Sequence, residues 1–180
     1  MTVKKMDDER GLVFVHTGNG KGKTTAALGL ALRALGHGRK IFMVQFMKGQ
    51  NYGEALAAAQ YLPGLTLYKC GRKSFIRKGH LSPADIELAQ KGFAVAKDAV
   101  FSGKYDMVIL DEINVAVDFQ LISLVSVLDL IKNKPVSLYL GLTGRNAPLE
   151  IIELADLVTE MKEIKQPFSK GIPAQKGFEF

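Results

Sequence analysis

The 180-residue sequence holds a single cysteine, Cys70, no tryptophan and only three histidines. A lone thiol excludes an internal disulfide framework and a cysteine-built zinc site, and it fits a reducing, cytoplasmic setting. His16, His37 and His80 lack the spacing of metal ligands and read as structural or solvated groups. No apolar run is long enough to span a bilayer. Residues 1–10, which include Lys4, Lys5, Asp7, Asp8, Glu9 and Arg10, lack the apolar stretch of a secretory signal. No membrane partner is therefore expected. Arginine-rich blocks and aromatic-interleaved ribonucleoprotein patterns are missing too, which argues against a nucleic-acid partner.

What is there is the composition of a globular domain, with 47% hydrophobic and 23% charged residues. A chain of this length buries roughly 70% of its unfolded surface and needs neither a disulfide nor a metal to fold. The formal net charge of +6 describes either a solvated basic surface or an attraction for an anionic ligand such as a nucleotide or a polycarboxylate. Charge alone does not separate the two.

Residues 12–15, 41–44, 65–68, 107–110 and 136–142 are short apolar runs without polar alternation, the pattern of strands buried on both faces. Residues 157–161 form a weaker sixth. Helical patterns fill 24–35, 54–61, 83–101, 119–131 and 148–155. Ser82 is placed to cap a helix that starts with Pro83 and carries Asp85 in its first turn. Gly36 and Gly38 stand where the first helix should stop, and Pro63-Gly64 and Lys134-Pro135 break the chain before strands. Regular alternation of strand and helix predicts an α/β fold with a parallel sheet covered on both faces. No repeat or linker divides the chain, so 1–180 reads as one domain, with a polar N-terminal segment (1–10) and a C-terminal tail (166–180).

Directly after the first strand comes Thr17-Gly18-Asn19-Gly20-Lys21-Gly22-Lys23-Thr24-Thr25, followed by a helix. Strand, glycine-rich turn and helix start are the setting of a phosphate loop. Glycines let backbone N–H groups point inward, and the helix N-terminus adds positive partial charge. Lys23 is placed to reach phosphate oxygens, and the Thr24 hydroxyl to ligate magnesium. In the common pattern G-x-x-x-x-G-K-[ST] a glycine would stand at position 17. Here it is Thr17, and Gly18 comes one residue late, so the loop is tighter. The segment Met107-Val108-Ile109-Leu110-Asp111-Glu112 supplies carboxylates at the end of a buried strand, which can hold magnesium directly or through water.

Ligands of open parallel sheets bind at the carboxyl ends of the strands. That rule brings together the phosphate loop, Gln45 to Glu54, Cys70 to His80, Asp111 to Asn114, and Thr143-Gly144-Arg145. The third of these is long and basic and carries Phe75. Two readings of it stand: a site for a second, flat or acidic substrate, or a loop whose Phe75 and Ile76 tuck into the core while Arg72, Lys73, Arg77 and Lys78 face water. Arg145 likewise serves either as a bidentate phosphate donor or as the partner of a surface acid.

The stretch from Thr17 to Ala27, Leu110-Asp111-Glu112, Leu142-Thr143-Gly144-Arg145 with Ala147-Pro148, and the tail from Lys170 to Phe180 resemble the P-loop type of ATP:corrinoid adenosyltransferase. The resemblance runs from about Gly11 to the C-terminus. Its specific features are the shortened phosphate loop, in which Thr17 is expected, and the tail pattern Ala174-Gln175, Gly177, Glu179. It implies a three-layer P-loop NTPase-like (RecA-like) fold with a mainly parallel central sheet. It also implies a reaction in which cobalt(I) of a reduced corrinoid attacks C5′ of ATP and expels inorganic triphosphate, in cobalamin biosynthesis or salvage. By matching positions, Gly18, Asn19, Gly20, Lys21, Gly22, Lys23, Thr24 and Thr25 cradle the triphosphate. Lys23 neutralises it, Thr24 and Glu112 hold magnesium with Asp111 as a third partner, and Arg145 is a further phosphate contact.

On the corrin side, Phe75 matches an aromatic residue thought to fill the place of the lower axial ligand and so ease reduction of cobalt(II). The tryptophan that neighbours it in enterobacterial-type members has no counterpart, and Arg77 stands near its place. A separate flavoprotein or small-molecule reductant and a homodimer are implied as well. Two other functions fit a phosphate loop: an ordinary P-loop kinase or ATPase, thymidine kinase-like, which would yield ADP or phosphate, and a RecA-like ATP-gated binding module, whose binding to polynucleotide would be salt-sensitive.

Overall fold

The inner strands are apolar at consecutive positions because both faces of the sheet are covered. The computed structural model describes residues 10–50, 52–72 and 76–178. Its strands are β1 (Val13–Thr17), β2 (Ile41–Phe46), β3 (Leu65–Cys70), β4 (Met107–Asp111), β5 (Tyr139–Thr143) and β6 (Leu157–Glu160). They form one sheet in the order β3-β2-β4-β5-β1-β6, and every pairing is parallel. The helices are α1 (Lys23–Leu35), α2 (Gly53–Tyr61), α3 (Pro83–Phe101), α4 (Ile113–Asp118), α5 (Leu124–Asn133) and α6 (Leu149–Leu154). A 3-10 turn covers Phe168–Lys170.

Side chains alternate across each strand, so one sheet supplies two cores. Phe14, Ile41, Met43, Met107 and Ile109 pack with Ala27 and Ala31 of α1 and Ala58 of α2. Val13, Val15, Val44, Phe46, Val108, Leu110, Leu140 and Leu142 face the other way. They meet Phe93, Ala96 and Val100 of α3, Ile113 and Ala116 of α4, Leu130 of α5 and Ile151 of α6. The result is the three-layer P-loop NTPase-like architecture. Only the edge strands β3 and β6 expose part of their length. Gly141 is required where it stands: a Cβ there would overlap the ring of Phe14.

Three boundaries differ from the sequence expectation. The helix expected over 119–131 starts only at Leu124, as α5; residues 119–123 connect it to α4, with Gln120 at a φ of 60° and Ser123 extended. Asp111 to Asn114, expected as a loop, runs directly from β4 into α4. The fifth strand starts at Tyr139 rather than at 136, because the Leu138 amide turns back to the Pro135 carbonyl at 3.1 Å and Val136 lies in solvent.

The long helix α3 begins as its sequence demands. Ser82 Oγ accepts from the Asp85 amide (3.3 Å), the Ser82 amide donates to the Asp85 carboxylate (2.9 Å), and Pro83 fills the first turn. Arg72 adds a bidentate bond to the same carboxylate, at 2.7 and 3.1 Å. Burial by itself raises the Asp85 pKa. The bonds from Ser82 and then Arg72 outweigh it and hold the carboxyl below its ordinary value. A depressed carboxyl contributes stability that is present above its unfolded pKa, about 4, and is lost as pH falls through the folded value. Asp85→Asn should therefore lower the unfolding free energy by about 1–2 kcal/mol at neutral pH. Urea unfolding should show that difference shrinking as the pH is taken below about 4.

Candidate active site

On the α1 face of the sheet, the apolar row Met43, Ile109, Gly141 and Phe14 is followed two residues later by a polar one: Gln45, Asp111, Thr143 and His16. All four are buried. Gln45 stands opposite Asp111 and Thr143 opposite His16, so the row crosses four strands at their carboxyl ends. Buried polar groups need partners, and Asp111 organises them. Its Oδ1 accepts from the hydroxyls of Thr24 (2.9 Å) and Thr143 (2.6 Å). Its Oδ2 accepts from Gln45 Nε2 (3.1 Å) and Lys48 Nζ (2.9 Å). Burial lowers the Lys48 pKa, but Asp111, Glu54 and Glu112 outweigh it and the ammonium titrates above its ordinary range. His16 packs its ring against Phe14 at 5.4 Å, and burial pushes its pKa down, which keeps it a neutral structural group.

Glu112 follows with a φ of 62°, a left-handed conformation that costs a non-glycine residue on the order of 1 kcal/mol. Its amide donates to Thr143 Oγ1 at 3.0 Å, which holds the turn. Burial, and after it the charge of Asp111, raises the Glu112 pKa. Lys48, Lys23 and Arg145 act in the opposite direction, and the net direction is up.

The phosphate loop lies between β1 and α1. Gly18 and Gly22 have φ of 93° and 110°, and α1 begins at Lys23 with Gly22 ahead of it. Lys23 is buried and turns back over the loop, donating to the carbonyls of Gly18 (2.8 Å) and Gly20 (2.7 Å). Desolvation lowers its pKa, Glu112 pulls it up and Arg145 pushes it down again; the net direction is down. Thr17, which breaks the common pattern, has a bonding role: its Oγ1 accepts from the Ala147 amide at 3.3 Å. That bond ties the loop to Thr143-Gly144-Arg145. The Gly20 amide donates to the Met161 carbonyl at 2.7 Å, so Gly20 shapes the turn and joins it to the chain leaving β6. Farther along, Gln166 Nε2 donates to the Asn19 carbonyl at 3.2 Å.

The structure thus brings Lys23, Thr24, Asp111 and Glu112 into one cluster, with the loop from Gly18 to Thr25 around it. Arg145 is exposed beside it and acts on Lys23 and Glu112 through its charge. Among the described residues no three His, Cys, Asp or Glu side chains form a metal-holding group. A cation here would draw on hydroxyl, carboxylate and phosphate oxygens. Phe75 lies outside the described residues, as do the N-terminal segment up to residue 9 and the last two residues of the tail. In the basic loop around it, Arg72 is committed to Asp85 and Lys78 donates to Asp118 at 2.6 Å. Ile76 is half-buried and Arg77 exposed. Sequence reasoning named the segments holding Gln45, Lys48 and Thr143 but not these residues. Their signal was register: each lies at or just past the end of a buried strand, level with Asp111.

A family model for ATP:corrinoid adenosyltransferase BtuR/CobO/CobP matches residues 9–180. The chain belongs to this family. It is 39% identical over 175 residues to a corrinoid adenosyltransferase of Sinorhizobium sp, covering 96% of this chain and 82% of that one. Similarity to a corrinoid adenosyltransferase of Pseudomonas aeruginosa is 39% over 173 residues, 96% of this chain and 85% of the relative. One from Escherichia coli K12 is 35% identical over 179 residues, 99% and 90% of the two chains. The family match takes in all the residues of the cluster described above.

Close approach at the phosphate loop makes a specific demand. A Cβ on Gly20 would sit 2.6 Å from the Lys162 carbonyl oxygen, a backbone atom with little room to yield. Gly20→Ala should weaken ATP binding at least tenfold by calorimetry, while far-ultraviolet circular dichroism stays that of the parent.

Proposed function

We propose that the chain transfers the 5′-deoxyadenosyl group of ATP to the cobalt(I) of a reduced corrinoid, releasing inorganic triphosphate, in cobalamin biosynthesis or salvage. The observation that carries this reading is the tightened phosphate loop, closed by Lys23 and joined through Thr17 to the Arg145 loop, in a chain that matches the family along nearly its full length. The cobalt–carbon bond forms as the C5′–oxygen bond breaks. The bonding pair leaves with triphosphate, and cobalt ends as cobalt(III). Charge therefore grows on a leaving triphosphate rather than on a transferred phosphoryl group, and a site lined with fixed donors lowers that barrier.

Each residue of the cluster has a part. Backbone amides of the loop and the N-terminus of α1 bind the phosphates. Lys23 exchanges its bonds to the Gly18 and Gly20 carbonyls for phosphate oxygens, and Arg145 approaches from the solvent side. Thr24 and Glu112 are the residues to hold magnesium. The proton of Thr24 Oγ1 is given to Asp111, which leaves its lone pairs for a cation, and the crowded Glu112 supplies the charge. Magnesium, when bound, neutralises the triphosphate and helps it depart. Asp111, with four donors already on it, orients this set.

Phe75 and the loop around it form the corrin side, and a separate flavoprotein or small-molecule reductant supplies cobalt(I). The chain acts as a homodimer of one-domain subunits in the cytoplasm. The buried, reduced Cys70 suits that compartment, and among the described residues no helix is long and apolar enough to cross a membrane.

The test is anaerobic: protein, magnesium, ATP and chemically reduced cobalamin, followed by visible spectrum and phosphate analysis. A light-sensitive adenosylated corrinoid with one equivalent of triphosphate is expected. ADP or orthophosphate without spectral change would sink the proposal in favour of a kinase or ATPase. Lys23→Ala should reduce turnover by at least a hundredfold, since a charge partner of the leaving group is removed.

A further inference from the structure

The loop after β2 sends a cation into the polar row from the side away from the phosphate loop. Lys48 Nζ lies 2.9 Å from Asp111 Oδ2 and 3.5 Å from Glu54 Oε1, with the Tyr52 ring centroid 5.4 Å away. Its side chain is only 18% exposed, so this is not a solvated surface pair of small worth. Gln45 reinforces it. Its Nε2 donates to both Glu54 (3.0 Å) and Asp111 (3.1 Å), while its Oε1 is buried without a partner. An unmet buried carbonyl carries a free-energy cost, so the orientation of that amide is set by the two carboxylates.

The chain of bonds beyond Asp111 gives this arrangement its meaning. A hydroxyl that offers lone pairs to a cation must place its proton elsewhere, and Thr24 places its own on Asp111 Oδ1. Thr143 does the same, and its oxygen then receives the Glu112 amide. Both residues assigned to magnesium are therefore oriented through one carboxylate, and that carboxylate is fixed from the other side by Lys48. Groups of this outer kind typically change metal affinity 10- to 100-fold when removed.

We infer that Lys48, seconded by Gln45, is a positioning residue for the magnesium–triphosphate site, acting through Asp111 on Thr24 and Glu112. The inference rests on the ATP–magnesium part of the function proposed above and is independent of the corrinoid. It runs opposite to simple electrostatics. Lys48 is a like charge near a bound cation, so if it acted only as a charge, removing it would tighten metal binding. If it positions the ligands, removing it loosens metal binding.

The experiment measures ATP affinity by calorimetry with magnesium and with excess chelator, in the absence of corrinoid, for wild type, Lys48→Met and Lys48→Arg. Manganese binding in the presence of ATP, read by electron paramagnetic resonance, provides a direct measure of the metal. In Lys48→Met the gain in ATP affinity conferred by metal should fall at least tenfold, while affinity in chelator stays within about twofold of wild type. Lys48→Arg, which keeps charge and donor, should recover part of the loss. Where Lys48→Met does not fold, Lys48→Gln is read in its place.

A metal-linked gain that is unchanged or larger in Lys48→Met overturns the inference. So does an equal loss with and without metal, which would make Lys48 a phosphate contact, and so does an arginine variant that folds yet recovers nothing. Wild-type protein that shows the metal-linked gain but leaves reduced cobalamin unadenosylated would refute the transferase and not this role.

Discussion

The carboxylate of Asp111, wholly removed from solvent, is the constraint on which the rest of the site depends. Taking such a charge out of water costs several kcal/mol unless it is paired and fully hydrogen-bonded. Its four donors come from four places in the chain: β2, the loop after β2, β5 and the first turn of α1. None of these is near another in sequence except Gln45 and Lys48, so the charge is satisfied only when the sheet is assembled in register. β5 lies between β1 and β4, and its Thr143 bridges the distance from Asp111 to the backbone of Glu112. Burial of one charge thus enforces the alignment of the elements that bear the phosphate loop and the pair proposed to hold magnesium.

The fold was legible in the sequence wherever the signal was local. Inner strands announced themselves as unbroken apolar runs, and Ser82, Pro83 and Asp85 marked the start of α3. Glycine and lysine spacing located the phosphate loop, and the end of a buried strand located Asp111 and Glu112. What stayed hidden was non-local. The start of α5 at Leu124 rather than at 119 goes with a left-handed Gln120 that no residue type advertises. The role of Thr17 depends on Ala147, 130 positions away. Lys48 and Thr143 are ordinary residues in sequence and gain their role only when parallel register sets them level with Asp111. Strand order decides that, and a parallel sheet leaves its strand order unwritten in any one segment.

The chain that leaves the last strand returns to the phosphate loop. After β6 the backbone crosses the phosphate loop, with the Met161 carbonyl taking the Gly20 amide and Gln166 reaching the Asn19 carbonyl. The edge strand is short and half in solvent, yet through these bonds it supports the loop's outer wall. This accounts for the close packing of Gly18 and Gly20 against residues 160–162 and for a loop one residue shorter than the usual pattern.

The position of Lys23 has a consequence for how ATP enters. Its ammonium already bridges two carbonyls of its own loop, so the loop holds its curvature by an internal clasp. The conformational entropy of closing it is met during folding and not at the moment of binding. Under the function proposed above, nucleotide arrival is a swap of acceptors, carbonyl oxygen for phosphate oxygen. A swap discriminates by charge density: a weak, singly charged anion gains little by displacing two short bonds, whereas a triphosphate replaces them with stronger, charge-assisted ones. The resting loop is in this sense preorganised and self-guarded, selective for its polyanion before any adenine or corrin is recognised.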